Sequence, residues 1–126
     1  MKTIKVDDWS EVPNDYTGIA ENLDGDKHWY LNGKYHRENG PECVCVDGNK
    51  YWFLNGKLHR EDGPATEYVS GDKYWYLDGK LHRIDGPACE YVVNEYKIIE
   101  YWINGERITK EAQEVLYAMY KLKGML

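Results

Sequence analysis

The chain is short of cysteine, serine, phenylalanine and positive charge, and each shortage removes a class of protein. Three cysteines are an odd number and too few for a disulfide scaffold. They predict a reduced, cytoplasmic setting. Ser10 and Ser70 are the whole serine content, and there is no Gly-x-Ser-x-Gly elbow, P-loop or His-Glu-x-x-His string. No apolar run reaches the roughly 18 residues of a membrane span. The opening residues turn acidic within eight residues, at Asp7 and Asp8, which predicts no secretory leader. Sixteen Lys and Arg against 22 Asp and Glu leave a net charge of −6. Binders of nucleic-acid phosphate or anionic lipid need the opposite sign, so neither partner is expected. The length, 126 residues, suits one domain spanning 1–126 with a core that needs no staples.

Tyrosine and tryptophan are abundant, at 12 and 5 residues against one phenylalanine. Tyrosine tolerates one wet end, so accessible aromatic surfaces are expected. Most of these rings fall in a repeat. Three blocks, His28 to Pro41, Tyr51 to Pro64 and Tyr74 to Pro87, align without gaps. Trp29, Trp52 and Trp75 are 23 residues apart, as are His36, His59 and His82, and Gly25, Gly48 and Gly71. A worn fourth copy runs from Tyr101 to Ile108, one residue short before Asn-Gly, with Ile108 near the histidine position. A leading half-repeat starts at Tyr16. The array therefore covers 16–108, after an N-terminal segment of 1–15.

Each unit reads as two strands and a structured connection. Lys50 to Leu54 is an aromatic run suited to a pleated, half-buried surface. Asn55-Gly56 and its equivalents supply the two positive-φ residues of a tight hairpin turn. Ala65 to Val69 is a second strand, and Ser70 to Lys73 turns into the next block. An all-β, antiparallel meander of about eight strands follows. Between 109 and 126 the period becomes helical, with Ala112, Val115, Leu116, Met119 and Leu122 on one stripe and Thr109 placed to cap. A helix there can cover the last strands, as terminal repeats require, or stand free to bind a partner.

Side chains with chemical potential recur with the repeat. His36, His59 and His82 can form a ladder able to bind metal or do enzymatic work. They can equally fix the connection structurally, together with Arg37, Arg60 and Arg83 and the neighbouring acids. Cys43 and Cys45 project to one face of a strand, too close along the chain for an unstrained disulfide and without further ligands for zinc. With Cys89 they read as packing sites, so no metal or cofactor is assigned. The carboxylates are locked into equivalent repeat positions, whereas a catalytic pair needs unlike environments. Asp24-Gly-Asp26 reads as a hairpin turn rather than a calcium loop.

Strand alternation puts Trp52 and Leu54 on one face and Tyr51 and Phe53 on the other. The same division separates Trp75 and Leu77 from Tyr74 and Tyr76, and Trp29 and Leu31 from His28 and Tyr30. The Trp/Leu set is the expected core. Tyr30, Tyr51, Phe53, Tyr68, Tyr74, Tyr76 and Tyr91 form the candidate partner-binding set. A sheet curled over both faces, or a homodimer hiding one, are the alternatives. Stacked tyrosines beside Lys27, Lys50 and Lys73 also suit single-stranded nucleic acid, but acids in every turn oppose it.

The string Trp-x-Leu-Asn-Gly-Lys-Leu-His-Arg-Glu-Asp-Gly-Pro-Ala resembles the variant MORN-type repeats of small bacteriophage proteins, with Pro64 and its equivalents where the commoner form has glycine. The resemblance covers about three-quarters of the chain. It implies an extended hairpin scaffold for protein contact and, by analogy, a phage-encoded accessory protein. The implied partner is a host protein, such as a defence or toxin–antitoxin component, which the protein blocks or triggers. The expected function is non-catalytic binding. A metal-binding or enzymatic His ladder and a structural virion component are the other readings.

Overall fold

The computed structural model describes residues 1–124; Met125 and Leu126, the last two residues of the expected helical segment, lie outside the described residues. In chain order the strands are β1 (Thr3–Lys5), β2 (Gly18–Glu21), β3 (Lys27–Leu31), β4 (Lys34–Tyr35), β5 (Cys43–Val44), β6 (Lys50–Tyr51), β7 (Phe53–Leu54) and β8 (Lys57–Leu58). They continue as β9 (Thr66–Glu67), β10 (Lys73–Tyr74), β11 (Tyr76–Leu77), β12 (Lys80–Leu81), β13 (Cys89–Val93), β14 (Tyr96–Ile103) and β15 (Glu106–Ile108). A helix, α1, closes the chain at Lys110–Leu122. The fold is all-β with a C-terminal helix. Its eleven-stranded sheet runs in the order β1-β2-β3-β5-β6-β9-β10-β13-β14-β15, with β4 paired to β3.

The strands are shorter and more numerous than the meander expected from the sequence, because the aromatic runs of the second and third repeats break at Trp52 and Trp75, while β3 runs on through Trp29. Lys50 and Tyr51 pair with Glu67 and Thr66 in the long sheet. Trp52 then donates its N–H to the Ala65 carbonyl and accepts from the His59 N–H. Beyond it, Phe53 and Leu54 fold back onto Leu58 and Lys57 as a separate hairpin. These outer hairpins are linked in turn: Arg60 N–H reaches the Tyr76 carbonyl and Gly79 N–H the Leu58 carbonyl. One repeat thus contributes a hairpin to each of two hydrogen-bonded rows, joined at a tryptophan corner. The Asn-Gly and Asp-Gly dipeptides behave as read, with Asn55 at φ 53° and Gly56 at φ 80°, and equivalent angles at Asp78 and Gly79.

Three side-chain clamps repeat with the sequence. Arg37, Arg60 and Arg83 lie over Trp29, Trp52 and Trp75 at 3.9, 3.9 and 4.1 Å from the ring centroids. The same guanidinium groups donate to the carbonyls of Pro41, Pro64 and Pro87 at 3.0, 3.1 and 3.1 Å. That close approach needs glycine, since a Cβ at Gly63 would stand 2.8 Å from the Arg60 guanidinium carbon. Next, Nδ1 of His36, His59 and His82 accepts the backbone N–H of Asn55, Asp78 and Asn104, each at 3.0 Å, in the following turn. Finally, Oδ1 of Asp26, Asn49 and Asp72 accepts the N–H of Val46, Val69 and Val92 at 2.8, 2.8 and 3.2 Å. Each clamp ties one repeat to itself or to its successor, so the array is held mainly by directed polar contacts.

Several sequence expectations are corrected. The Trp/Leu set is not the core: Trp29, Trp52 and Trp75 are half-buried under their arginines, and Leu31 is exposed. The densest packing is N-terminal, where Tyr16, Ala20 and Tyr30 meet Ile4, Trp9, Val12 and Tyr35. The 1–15 segment supplies this through β1, which pairs parallel to β2 and departs from the antiparallel pattern. The worn fourth copy is shifted. Tyr101 pairs with Ile108, the relation of Trp75 to His82, while Trp102 accepts the Arg83 N–H as Tyr76 accepts that of Arg60. Trp102 therefore occupies a Tyr/Phe position. In α1 Thr109 caps by accepting the Ala112 N–H, but the apolar stripe stays largely outside, with Val115 59% and Leu122 88% exposed. The helix instead docks through buried Gln113, whose side-chain amide donates to the carbonyls of Arg83 and Gly86. A polar anchor replaces the expected hydrophobic lid.

Gly33 and Gly56 are repeat equivalents with the same φ of 80°, which makes them a matched pair. A Cβ at Gly33 would lie 1.8 Å from the Asn14 carbonyl oxygen, while at Gly56 the nearest atom is a Lys34 side-chain carbon at 3.8 Å. Gly56→Ala should cost about 1–2 kcal/mol from the left-handed backbone alone. Gly33→Ala should cost about 1–3 kcal/mol more, since backbone must move. Urea denaturation of both variants measures the difference, and equal losses would show that the N-terminal segment does not pack on this turn.

Candidate interaction surface

The period-two alternation of the aromatic runs sends their rings to opposite sides of each strand. On the loop side lie two grooves of 730 and 550 Å³. The first is walled by Trp52, Leu54, His59 and Arg60, the second by Trp75, Leu77, His82 and Arg83, with Tyr117 of α1 joining the latter. Their polar groups are largely satisfied by one another. Arg60 meets Asp62 at 3.1 Å and Glu67 at 3.3 Å, Arg83 meets Asp85 at 2.9 Å, and His59 lies 3.7 Å from Glu61. Exposed pairs of this kind contribute little to stability. The ladder histidines do not converge, and among the described residues no three His, Cys, Asp or Glu side chains are grouped to hold a metal ion.

The other side carries a different surface. Tyr51, Phe53, Tyr68, Tyr74 and Tyr76 line one open groove of 470 Å³, joined by Leu58, Thr66, Ser70 and Asp72. The register explains the gathering: Thr66 of β9 pairs with Tyr51 of β6 on one side and Tyr74 of β10 on the other. Tyr51 meets Tyr68 edge-on at 5.8 Å between centroids, Tyr68 meets Tyr74 edge-on at 6.0 Å, and Tyr74 stacks on Tyr91 at 5.9 Å. The rings brace one another, so little side-chain freedom remains to be lost on binding. Burial pushes the Tyr51 phenol up to about 12, and those of Tyr74 and Tyr76 upward as well, so all stay neutral hydrogen-bonding groups. Thr66 lies between the rings, 3% exposed, with its hydroxyl buried and without a hydrogen-bond partner.

Of the seven residues singled out in the sequence, five share the groove. Tyr91 extends the ring row beyond it, with its hydroxyl donating to Glu100 at 2.7 Å. That bond, first, and the Trp102 indole N–H hold the Glu100 carboxyl below its usual range. Tyr30 is the exception: at 8% exposure it belongs to the N-terminal core beside Tyr16 and Tyr35, and it cannot present a ring to a partner.

The first repeat also holds a polar cluster that the repeat pattern concealed. His28 stands where later repeats have Tyr51 and Tyr74, and Glu42 where they have Ala65 and Ala88. Glu42 is fully buried, its Oε1 2.7 Å from His28 Nδ1 and its Oε2 without a partner. Burial pushes the Glu42 carboxyl upward, against the opposing pull of His28. His28 Nε2 lies 3.7 Å from Cys43 Sγ, which lies 3.1 Å from Cys45 Sγ. Trp9 packs edge-on against the imidazole and Tyr35 stacks on it at 4.6 Å. Comparing the repeats position by position, rather than aligning them by likeness, exposes these exchanges.

No protein-family model, curated protein or solved structure matches the chain. Among the described residues no helix is long and apolar enough to cross a membrane.

His82 provides a pH test of the ladder. Burial holds its pKa below the ordinary 6.5. When pH falls through that ordinary value toward the folded one, the unfolded chain takes up the proton first, so stability falls. It is fully present above the ordinary value. The wild type should therefore lose more stability than His82→Asn as pH drops from neutral toward the folded pKa. Urea midpoints across that range check this, and parallel curves would remove His82 as the source.

Proposed function

We propose that this chain is a non-catalytic, protein-binding repeat module whose docking surface is the tyrosine-lined groove. One observation carries the reading: five aromatic rings from two successive repeats line one open channel, three of them, Tyr51, Tyr68 and Tyr74, in edge-on contact. Tyrosines of this kind serve as rigid anchors in protein interfaces. The braced hairpins supply a stiff support, and acids in the intervening turns supply a charged rim. The His ladder gives less support to an enzymatic or metal-binding reading, because each Nδ1 already accepts a backbone N–H.

The resemblance of the repeats to variant MORN-type repeats extends the proposal. On that analogy the protein is a phage-encoded accessory factor acting in the host cytoplasm. Its partner is a host protein, among which defence and toxin–antitoxin components are the leading class, with inhibition and triggering as the two modes of action. The negative charge opposes a nucleic-acid partner. A homodimer across the same groove would be the simplest competing use of the surface.

The test is capture from bacterial lysate by the wild type and by a Phe53→Ala/Tyr68→Ala/Tyr76→Ala variant, followed by titration of the purified partner. Each ring should be worth about tenfold or more in affinity. Tyr96→Ala, at an exposed hairpin end, should bind as the wild type does. A triple variant that keeps the wild-type circular dichroism and retains its partner at full affinity would defeat the groove as the docking site.

A further inference from the structure

We propose that Cys43 and Cys45 form a peroxide-sensitive dithiol, served by His28 and Glu42 as a buried proton relay. The inference stands apart from the binding function and rests on the first repeat alone. Three positions that are Tyr, Ala and Tyr in the third repeat (Tyr74, Ala88 and Tyr91) become His28, Glu42 and Cys45 here, and the fourth is Cys in both. The structure brings all four side chains into one chain of contacts: carboxylate to imidazole at 2.7 Å, imidazole to thiol at 3.7 Å, thiol to thiol at 3.1 Å. Packing alone does not call for a fully buried glutamate, which is costly unless it is paired. In the tautomer whose Nδ1–H donates to Glu42, Nε2 keeps its lone pair toward Cys43. This is the nucleophile, base and orienting-acid order of activated thiols. Trp9 and Tyr35 hold the imidazole from either side.

The order of events follows from exposure. Cys43 is 3% exposed and Cys45 is half-buried, so the oxidant meets Cys45 first. The Cys45 sulfur attacks one peroxide oxygen; the O–O bond breaks, the leaving hydroxide takes the proton that the Cys45 thiol gives up, and a sulfenic acid and water result. The Cys43 sulfur then attacks the sulfenic sulfur as its proton passes to His28 Nε2. The S–S bond forms, the S–O bond breaks, and the departing hydroxide takes that proton back from His28 Nε2 and leaves as a second water. In total, two thiols and one peroxide give a disulfide and two waters. Burial raises both thiols above their usual range, which keeps the resting pair protonated and makes a nearby base necessary. β5 ends at Val44, so Cys45 has left the extended strand and is free to turn its sulfur toward Cys43. A bridge across one intervening residue still lies near the edge of allowed geometry. Strained bridges have oxidising potentials, so this one is expected to be reversible.

The experiment treats the whole protein with hydrogen peroxide, quenches, denatures, alkylates and maps the thiols by mass spectrometry. The expected product is a Cys43/Cys45 peptide lighter by two hydrogens, with Cys89 alkylated. It should form at a rate independent of protein concentration, faster in native protein than in urea, and be reversed by dithiothreitol. Cys45→Ser should give no disulfide, and Cys89→Ser should behave as the wild type does. His28→Gln should slow the native reaction by about tenfold or more and flatten its pH dependence, leaving the rate in urea unchanged. The ionisable groups facing this site are Glu42, Tyr30 and Tyr35 around the imidazole and Asp26 and Asp47 near Cys45. Full alkylation of Cys43 and Cys45, a disulfide to Cys89 or to a second copy, or a native rate no faster than in urea would overturn the proposal.

Discussion

The arginine laid over each tryptophan is the contact around which the repeat is organised. It acts twice, shielding the indole face and closing the Asp-Gly-Pro connection by donating to the proline carbonyl. A cation over an aromatic face is worth about 0.5–2 kcal/mol. A single corner is thus weak, and three act in series; at Trp52 and Trp75 the corner is also where the strand breaks. Where the corner loses its tryptophan, at Tyr101, it loses the arginine as well. β14 then runs unbroken from Tyr96 to Ile103 and the array ends.

The hydrogen-bonded clamps explain how so thin a fold stands with little buried apolar surface. Among the large apolar side chains only a few are buried, and the row of Ala65 and Ala88 leaves no room for more. What hydrophobic burial does not supply, directed bonds from His, Asp and Asn side chains to backbone N–H groups do. Such bonds are worth about 1 kcal/mol each, and more is lost when a buried partner is orphaned. The repeat therefore conserves polar residues at positions where a globular protein would place aliphatic ones.

The chain's period, its hairpin turns and its C-terminal helix were legible because they depend on local chemistry. Asn55-Gly56 needs positive φ wherever it occurs, and Thr109 caps whatever follows. The groove was legible in part, because strand alternation separates Tyr51 and Phe53 from Trp52 and Leu54 without any tertiary knowledge. Tyr30 looks like Phe53 and Tyr76 within the repeat, but its neighbours across the sheet are the N-terminal segment rather than another unit. Trp102 looks like Trp75 but stands one residue closer to its Asn-Gly turn, which moves it to the alternate face. Gln113 was invisible as an anchor because its partners, the carbonyls of Arg83 and Gly86, lie about a repeat away. His28 and Glu42 were hidden for the opposite reason, since a search for likeness passes over departures from it.

The staple from Oδ1 of Asp26, Asn49 and Asp72 to a backbone N–H twenty residues ahead has an evolutionary corollary. Every bond of this kind spans one module boundary and is indifferent to how many boundaries there are. Insertion or loss of a whole 23-residue module rejoins each donor with an equivalent acceptor, whereas a change of any other length strands both. Genes for such a chain can lengthen or shorten by recombination in discrete steps, and the docking channel would grow or shrink by the same quantum.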